Sequence, residues 1–350
     1  MNLKSFRWIL YFALFCLMHS CSEQSNKETS SIDKGQIATE MKMFSWQGRL
    51  LKIYLRVRRF FNRPTGELDV EKKRAKLEAL GRKFKPTSKL QLTAVFADSV
   101  SAEWIVPSDA FTDRVILYLH GGAYNRGSIN SHRSLVANIA NAAQARALVI
   151  DYRLAPEDPF PAAVEDAVIA YRWLLANNIS PDQIVVIGDS AGGGLTLSML
   201  VALRNVGEPL PAGTVCLSPW TDLAITGESW STKAKVELIL DSKEVPKSAQ
   251  LYLGNTSPYT PLASPLYADL RGLPPLLIQV GTDEIMLSDS IRLAERAKTA
   301  GVDVNLEVWE GMFHVWHFAA SVLPEGRQAI DRIGKFIGQM CSRLEGVESK

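Results

Sequence analysis

Cysteine is scarce in this 350-residue chain: Cys16 and Cys21 lie close to the N-terminus, and only Cys216 and Cys341 fall in the body of the sequence. Two cysteines so placed make neither a disulfide framework nor a zinc spacing, so metal binding and thiol chemistry are not expected. Net charge is missing as well. Lys and Arg total 39 against 37 Asp and Glu, leaving +2, which excludes the strongly basic surface of a nucleic-acid binder. There is no Gly-x-Gly-x-x-Gly and no Gly-Lys-Ser/Thr, so dinucleotide and P-loop nucleotide binding drop out. Histidine is rare too, with five in all and four beyond His19. Any chemistry that needs an imidazole has few places to find one.

What is present is a globular composition, 47% hydrophobic and 22% charged, long enough for one large core with appendages. The first 21 residues read as a targeting segment, with Lys4 and Arg7 ahead of an apolar run from Trp8 to Met18 that is short for a membrane span. Ser20-Cys21 followed by a polar stretch resembles a bacterial lipoprotein signal. That reading makes Cys21 the lipidated N-terminus and places the protein on a membrane of the cell envelope, a secreted or periplasmic protein being the alternative. Residues 22–35 are polar and suit a disordered tether.

Residues 36–89 are expected to form N-terminal lid helices, two helical patterns broken by Asn62-Arg63-Pro64-Thr65-Gly66. In the first, Leu50, Tyr54, Val57 and Phe61 share one face, and Arg49, Lys52, Arg56, Arg59 and Arg63 recur on another. Between Arg49 and Lys89 there are fourteen Lys or Arg against four Asp or Glu. This basic stripe is either a solvated helix face or a surface for anionic lipid.

Residues 90–350 read as a catalytic domain. Short runs rich in Val, Ile and Leu at 90–96, 103–106, 115–119, 147–152, 184–187, 214–217, 276–280 and 304–308 alternate, after the first pair, with helical patterns at 134–143, 161–176, 193–205, 288–300 and 324–344. The pattern predicts an α/β fold with a mostly parallel eight-stranded sheet flanked by helices. Residues 220–264 interrupt the rhythm and are expected to supply a second piece of lid.

Gly188-Asp189-Ser190-Ala191-Gly192 sits between an apolar strand pattern and a helical one, the context of a nucleophile elbow, with Ser190 exposed on a tight turn. His120-Gly121-Gly122-Ala123 directly follows the strand at 115–119. A glycine-rich loop there lets backbone N–H groups approach a developing oxyanion, and Gly121, Gly122, Ala123 and Ala191 are the candidates for that role. A serine hydroxyl also needs a base. His314, in the loop after the last strand, fits better than His317, which lies farther along the chain. For the carboxylate that orients the histidine, Asp283 follows the strand at 276–280, with Glu284, Asp289 and more weakly Asp222 as neighbours able to replace it. The chain order Ser190, Asp283, His314 is that of an α/β-hydrolase.

These segments, together with Asp151-Tyr152-Arg153-Leu154-Ala155-Pro156-Glu157, Phe160-Pro161-Ala162-Ala163 and Ser264-Pro265-Leu266, resemble the hormone-sensitive-lipase family of esterases in both identity and order. The resemblance implies an α/β-hydrolase fold with a helical lid and hydrolysis of small to medium esters without a cofactor. Lactone hydrolysis or deacylation on the same residues is the alternative, and a non-catalytic small-molecule receptor a remote one. The sequence departs from the family at Ala123, where a third glycine is usual, and at Asp283-Glu284-Ile285-Met286-Leu287, which is closer to members described as lactone hydrolases. The Tyr152 to Glu157 run has no evident part in ester chemistry and is expected to be structural.

Overall fold

The structure is a computed structural model and describes residues 39–41, 45–62, 67–82 and 90–341. The segments expected to be a signal and tether, including Cys21, and Arg63 of the basic stripe lie outside the described residues. In chain order the elements are β1 (Thr39–Met41), α1 (Trp46–Phe61), α2 (Val70–Gly81), β2 (Leu90–Ala97), β3 (Val100–Pro107), β4 (Val115–Leu119), α3 (Ile129–Ala143), β5 (Arg146–Ile150) and α4 (Ala162–Ala176). They continue with β6 (Ile184–Asp189), α5 (Ala191–Asn205), β7 (Gly213–Leu217), α6 (Ser229–Thr232), α7 (Val245–Leu253), β8 (Leu276–Gly281), α8 (Leu287–Thr299), β9 (Val304–Trp309) and α9 (Pro324–Cys341).

The strands form one sheet in the order β1-β9-β8-β7-β6-β4-β5-β3-β2, antiparallel only where β3 meets β2 and β5. The eight expected strands are all there. The ninth, β1, adds parallel to β9, with Thr39 opposite Glu307 and Met41 opposite Trp309. Three residues, Thr-Glu-Met, carry too little alternation to be read as a strand.

The central strands are buried on both sides, which explains their unbroken apolar runs. In β4, Val115, Leu117 and Leu119 face the layer of α4, α5 and α8, while Ile116 and Tyr118 face that of α3 and α9. Ile184 and Val186 against Val185 and Ile187 repeat the alternation in β6. Because the central strands run parallel, the chain leaves β4, β6, β8 and β9 at the same edge of the sheet. The site is assembled there.

Candidate active site

Ser190 is the one residue between β6 and α5, held at φ 52° and ψ −120°. A side chain at Gly188 would run into the Gly192 carbonyl, and one at Gly192 into the Leu119 carbonyl, so both approaches require glycine. The unusual backbone of Ser190 is pinned from both sides: its N–H donates to Leu217 O at 2.8 Å, and its carbonyl accepts from the N–H of Trp220 at 2.8 Å. Surroundings that fix a conformation this firmly are what allow a strained residue to persist at a reactive position.

His314 leaves the loop after β9 and places Nε2 3.0 Å from Ser190 Oγ. Its Nδ1 lies 2.8 Å from Oε2 of Glu284. Asp283, the residue expected to orient the histidine, does not touch it. Its carboxylate turns the other way and takes an ion pair from Lys52 of α1 at 2.5 Å. The correction follows from the loop after β8. Asp283 N–H is bonded to Met312 O, and the following residue then points under the imidazole, where the extra methylene of glutamate lets it reach. Glu284 is fully buried, and its Oε1 accepts from Gly281 N–H at 2.6 Å and from Ser218 Oγ at 2.8 Å. Ser218 in turn accepts from Val315 N–H at 3.2 Å, tying the acid loop to the histidine loop.

Burial alone would lower the pKa of His314. The hydrogen bond and charge of Glu284, with Glu237 and Asp189 farther off, outweigh burial and raise it above the usual imidazole value. His317, the competing base, bonds through Nε2 to Gln279 Oε1 at 2.8 Å, and burial drives its pKa down to about 3. It is a neutral core histidine. Asp289 and Asp222 serve the insertion at 220–264: Asp289 accepts from the N–H groups of Thr221 and Asp222, and Asp222 pairs with Arg292.

The glycine-rich loop after β4 is held from beneath. Asp189 Oδ1 accepts from Gly121 N–H at 2.9 Å and from Tyr118 Oη at 2.8 Å. This revises the place given to Gly121, because its N–H is already committed and it contributes loop geometry instead. Among the described residues the N–H groups of Gly122, Ala123 and Ala191 have no acceptor, which leaves them for an oxyanion. Gly122, Ala123 and Tyr124 all have positive φ, at 126°, 54° and 59°.

The Tyr152 run explains itself at this point. Tyr152 Oη donates to the His120 carbonyl at 2.7 Å, and its ring stacks on His120 at 4.2 Å. Arg153 forks onto Asp166 of α4, and Glu157 pairs with Arg74 of α2. The run therefore buttresses the loop and fastens α2 to it.

Two groups that the sequence reading did not single out complete the site. Glu237, from the 220–264 insertion, is buried; it accepts from Ile285 N–H at 3.1 Å and from the N–H groups of Ile239 and Leu240, so it joins the insertion to the acid loop. Tyr252 of α7 stacks on Tyr124 at 3.8 Å, and Trp220 lies 6.2 Å from Tyr124. These rings cluster on Tyr124, the residue after Ala123, and the backbone N–H of Trp220 donates to the Ser190 carbonyl. Farther along the histidine loop, Trp316 is buried against Trp309, and Phe318 packs edge-on to His132.

A serine hydroxyl bonded to a histidine, a buried carboxylate behind that histidine and free N–H donors at the same sheet edge make an arrangement suited to acyl transfer. A family described as the alpha/beta hydrolase fold matches residues 116–318. The chain belongs to that family. Within the alpha/beta hydrolases it is 50% identical over 237 residues to an acetyl-hydrolase of Streptomyces hygroscopicus, covering 68% of this chain and 79% of that one. It is 35% identical over 261 residues to an esterase of Acinetobacter venetianus, covering 74% and 86%. A crystal structure of an esterase from the bacterial hormone-sensitive lipase family superposes with a TM-score of 0.81 at 48% identity, over 86% of this chain and all of that one. This alpha/beta hydrolase is a hormone-sensitive-lipase-like esterase, an enzyme that hydrolyses ester bonds.

Proposed function

We propose that the enzyme hydrolyses small acyl esters through an acyl-enzyme on Ser190, with His314 as base and Glu284 as the carboxylate that orients it. The observation that carries this reading is the continuous hydrogen-bond line from Ser190 Oγ to His314 Nε2 and from His314 Nδ1 to Glu284. His314 takes the hydroxyl proton as Oγ attacks the carbonyl carbon. The negative charge that collects on the carbonyl oxygen meets the N–H groups of Gly122, Ala123 and Ala191. The imidazolium, stabilised by Glu284, returns its proton to the departing alcohol. Water then attacks the acyl-serine by the same route, releasing the acid and restoring Ser190.

Tyr124, Trp220 and Tyr252 form a buried aromatic cluster that starts one residue after Ala123, and this supports a preference for short acyl groups such as acetyl over long chains. The test is a series of aryl esters of increasing acyl length, run beside a set of simple lactones. Turnover should fall steeply beyond the shortest acyls, and Ser190→Ala should lower kcat by roughly 10⁴ to 10⁶ in a folded protein. Faster turnover of lactones than of any ester would make lactone hydrolysis the function instead. A folded Ser190→Ala protein with undiminished activity would remove the nucleophile assignment.

We also propose that Cys21 carries lipid and holds the enzyme on a membrane of the bacterial cell envelope, a reading supported by Lys4, Arg7, the apolar run and Ser20-Cys21. No helix among the described residues is long and apolar enough to cross a membrane. Mass spectrometry of the mature chain should find acyl groups on Cys21. An unmodified chain, recovered free of membranes, would refute the anchor.

A further inference from the structure

Helix α1 carries most of its large apolar residues on its outer side. Its protein-facing side is mixed: Leu51 and Leu55 pack with Leu238, Trp309 and Phe313, while Lys52 pairs with Asp283 beside the acid loop, Arg59 donates to Leu240 O at 2.8 Å, and Ser45 Oγ at the N-cap donates to Glu325 at 2.9 Å. Gly48, Lys52 and Leu55 are its buried residues. The apolar side points to solvent. Trp46, Leu50, Ile53, Tyr54, Val57, Phe60 and Phe61 are 40% to 67% exposed, and at 100° per residue they form one continuous stripe about a third of the helix circumference wide. A contiguous exposed apolar stripe of this size marks a place where something docks.

The flanks identify the occupant. Arg49 and Arg56 are exposed along one border of the stripe and Arg58 along the other, and the helix carries five cations and no Asp or Glu. Exposed Lys76 of α2 stands near enough to feel the charge of Arg58 and widens the basic field. A second copy of α1 laid on the first would bring cations against cations with no acid in the helix to neutralise them. An anionic bilayer satisfies both parts: the stripe enters the boundary between headgroups and acyl chains, and the arginines remain among the phosphates. Lys52 and Arg59, which the sequence placed on the outer basic stripe, are used inward.

We propose that the outer face of α1 is a membrane-docking surface for anionic lipid, and that it holds the active-site edge against the bilayer, so that the enzyme takes esters that partition into lipid. Because Lys52 joins α1 to the residue preceding Glu284, a docked helix sits one ion pair from the acid loop. The proposal is independent of the lipid anchor.

The test uses the full chain carrying Cys21→Ser, so that no acyl group contributes. Partitioning is measured by co-sedimentation with phosphatidylcholine vesicles containing about one-third phosphatidylglycerol and with pure phosphatidylcholine vesicles. The protein should bind the anionic vesicles. The triple change Ile53→Ser, Phe60→Ser, Phe61→Ser should weaken binding to both by at least about tenfold. The triple change Arg49→Gln, Arg56→Gln, Arg58→Gln should abolish only the preference for anionic lipid. Hydrolysis of a water-soluble short ester should be the same in all three proteins, which shows that each is folded. The proposal is overturned if the protein ignores anionic vesicles, or if the serine variant binds them as well as its parent. It is also overturned if the parent is a dimer that the serine variant makes monomeric without any effect on vesicles, because the stripe is then an interface between copies.

Discussion

The loop after β8 faces two regions of the molecule, and two neighbouring carboxylates show how different those regions are. Glu284 faces the sheet edge, fully buried, with all its bonds to groups that hold or belong to the reacting line: His314, Ser218 and Gly281. Asp283 faces the N-terminal helices and meets Lys52. At the sheet edge the fold fixes a hydrogen-bonded line from Ser190 through His314 to Glu284. On the helix side the same kind of side chain serves as a fastening. Acidity and chain position do not decide which carboxylate meets the histidine; the direction the backbone gives it does.

If the sheet edge carries the chemistry, the largest effects belong to residues there. His314→Ala should lower kcat by roughly 10⁴ to 10⁶, while His317→Ala, which removes a neutral core histidine, should leave kcat within about tenfold and appear mainly as a loss of stability. Steady-state kinetics and thermal melts on both variants check this, and the reverse ranking would move the base to His317.

Fastenings should appear in stability first. Lys52→Met leaves Asp283 without its partner and should cost about 2–3 kcal/mol in chemical denaturation, with kcat for a soluble short ester changing less than about tenfold. A loss of kcat as large as that of His314→Ala would mean that the helix side shares the chemistry.

Glu237 ties the 220–264 insertion to the acid loop and should have a modest effect on rate. Glu237→Gln replaces one acceptor oxygen with a donor facing an N–H group and should reduce kcat/KM by about tenfold. It also removes one of the negative charges that hold the pKa of His314 up. The base works only when neutral, so activity falls as pH drops through the pKa of His314. In the wild type the acid limb of kcat/KM should lie above the ordinary histidine value of 6.5, and in Glu237→Gln it should move to lower pH. A limb that stays in place would remove Glu237 from the electrostatics of the base.

Much of the sheet edge was legible in the residues because packing leaves periodic marks. Runs buried on both faces betray central strands, and Gly188 and Gly192 betray the close approach around Ser190. His314 could be preferred to His317 because it comes sooner after β9. The choice between Asp283 and Glu284 left no such mark. Both are acidic and adjacent, and the bond from Asp283 N–H to Met312 O, which aims the pair, lies between backbone atoms of distant residues. Gly121 was misjudged for a similar reason, since the group that takes its N–H is Asp189, 68 residues away. The apolar stripe of α1 was visible as a pattern, but periodicity does not say which side of a helix the protein occupies. In α9 the same kind of pattern, Ile330, Ile333, Ile337 and Met340, points into the core; in α1 the stripe points out.

The most direct test of the account compares the two neighbouring carboxylates on one substrate. Glu284→Gln and Asp283→Asn are each assayed for kcat with a soluble short-chain aryl ester, after circular dichroism shows both to be folded. The account predicts a loss of roughly 10³- to 10⁴-fold for Glu284→Gln, because the imidazole loses its orienting charge, and a change of less than about tenfold for Asp283→Asn. A large loss with Asp283→Asn and a small one with Glu284→Gln would contradict it.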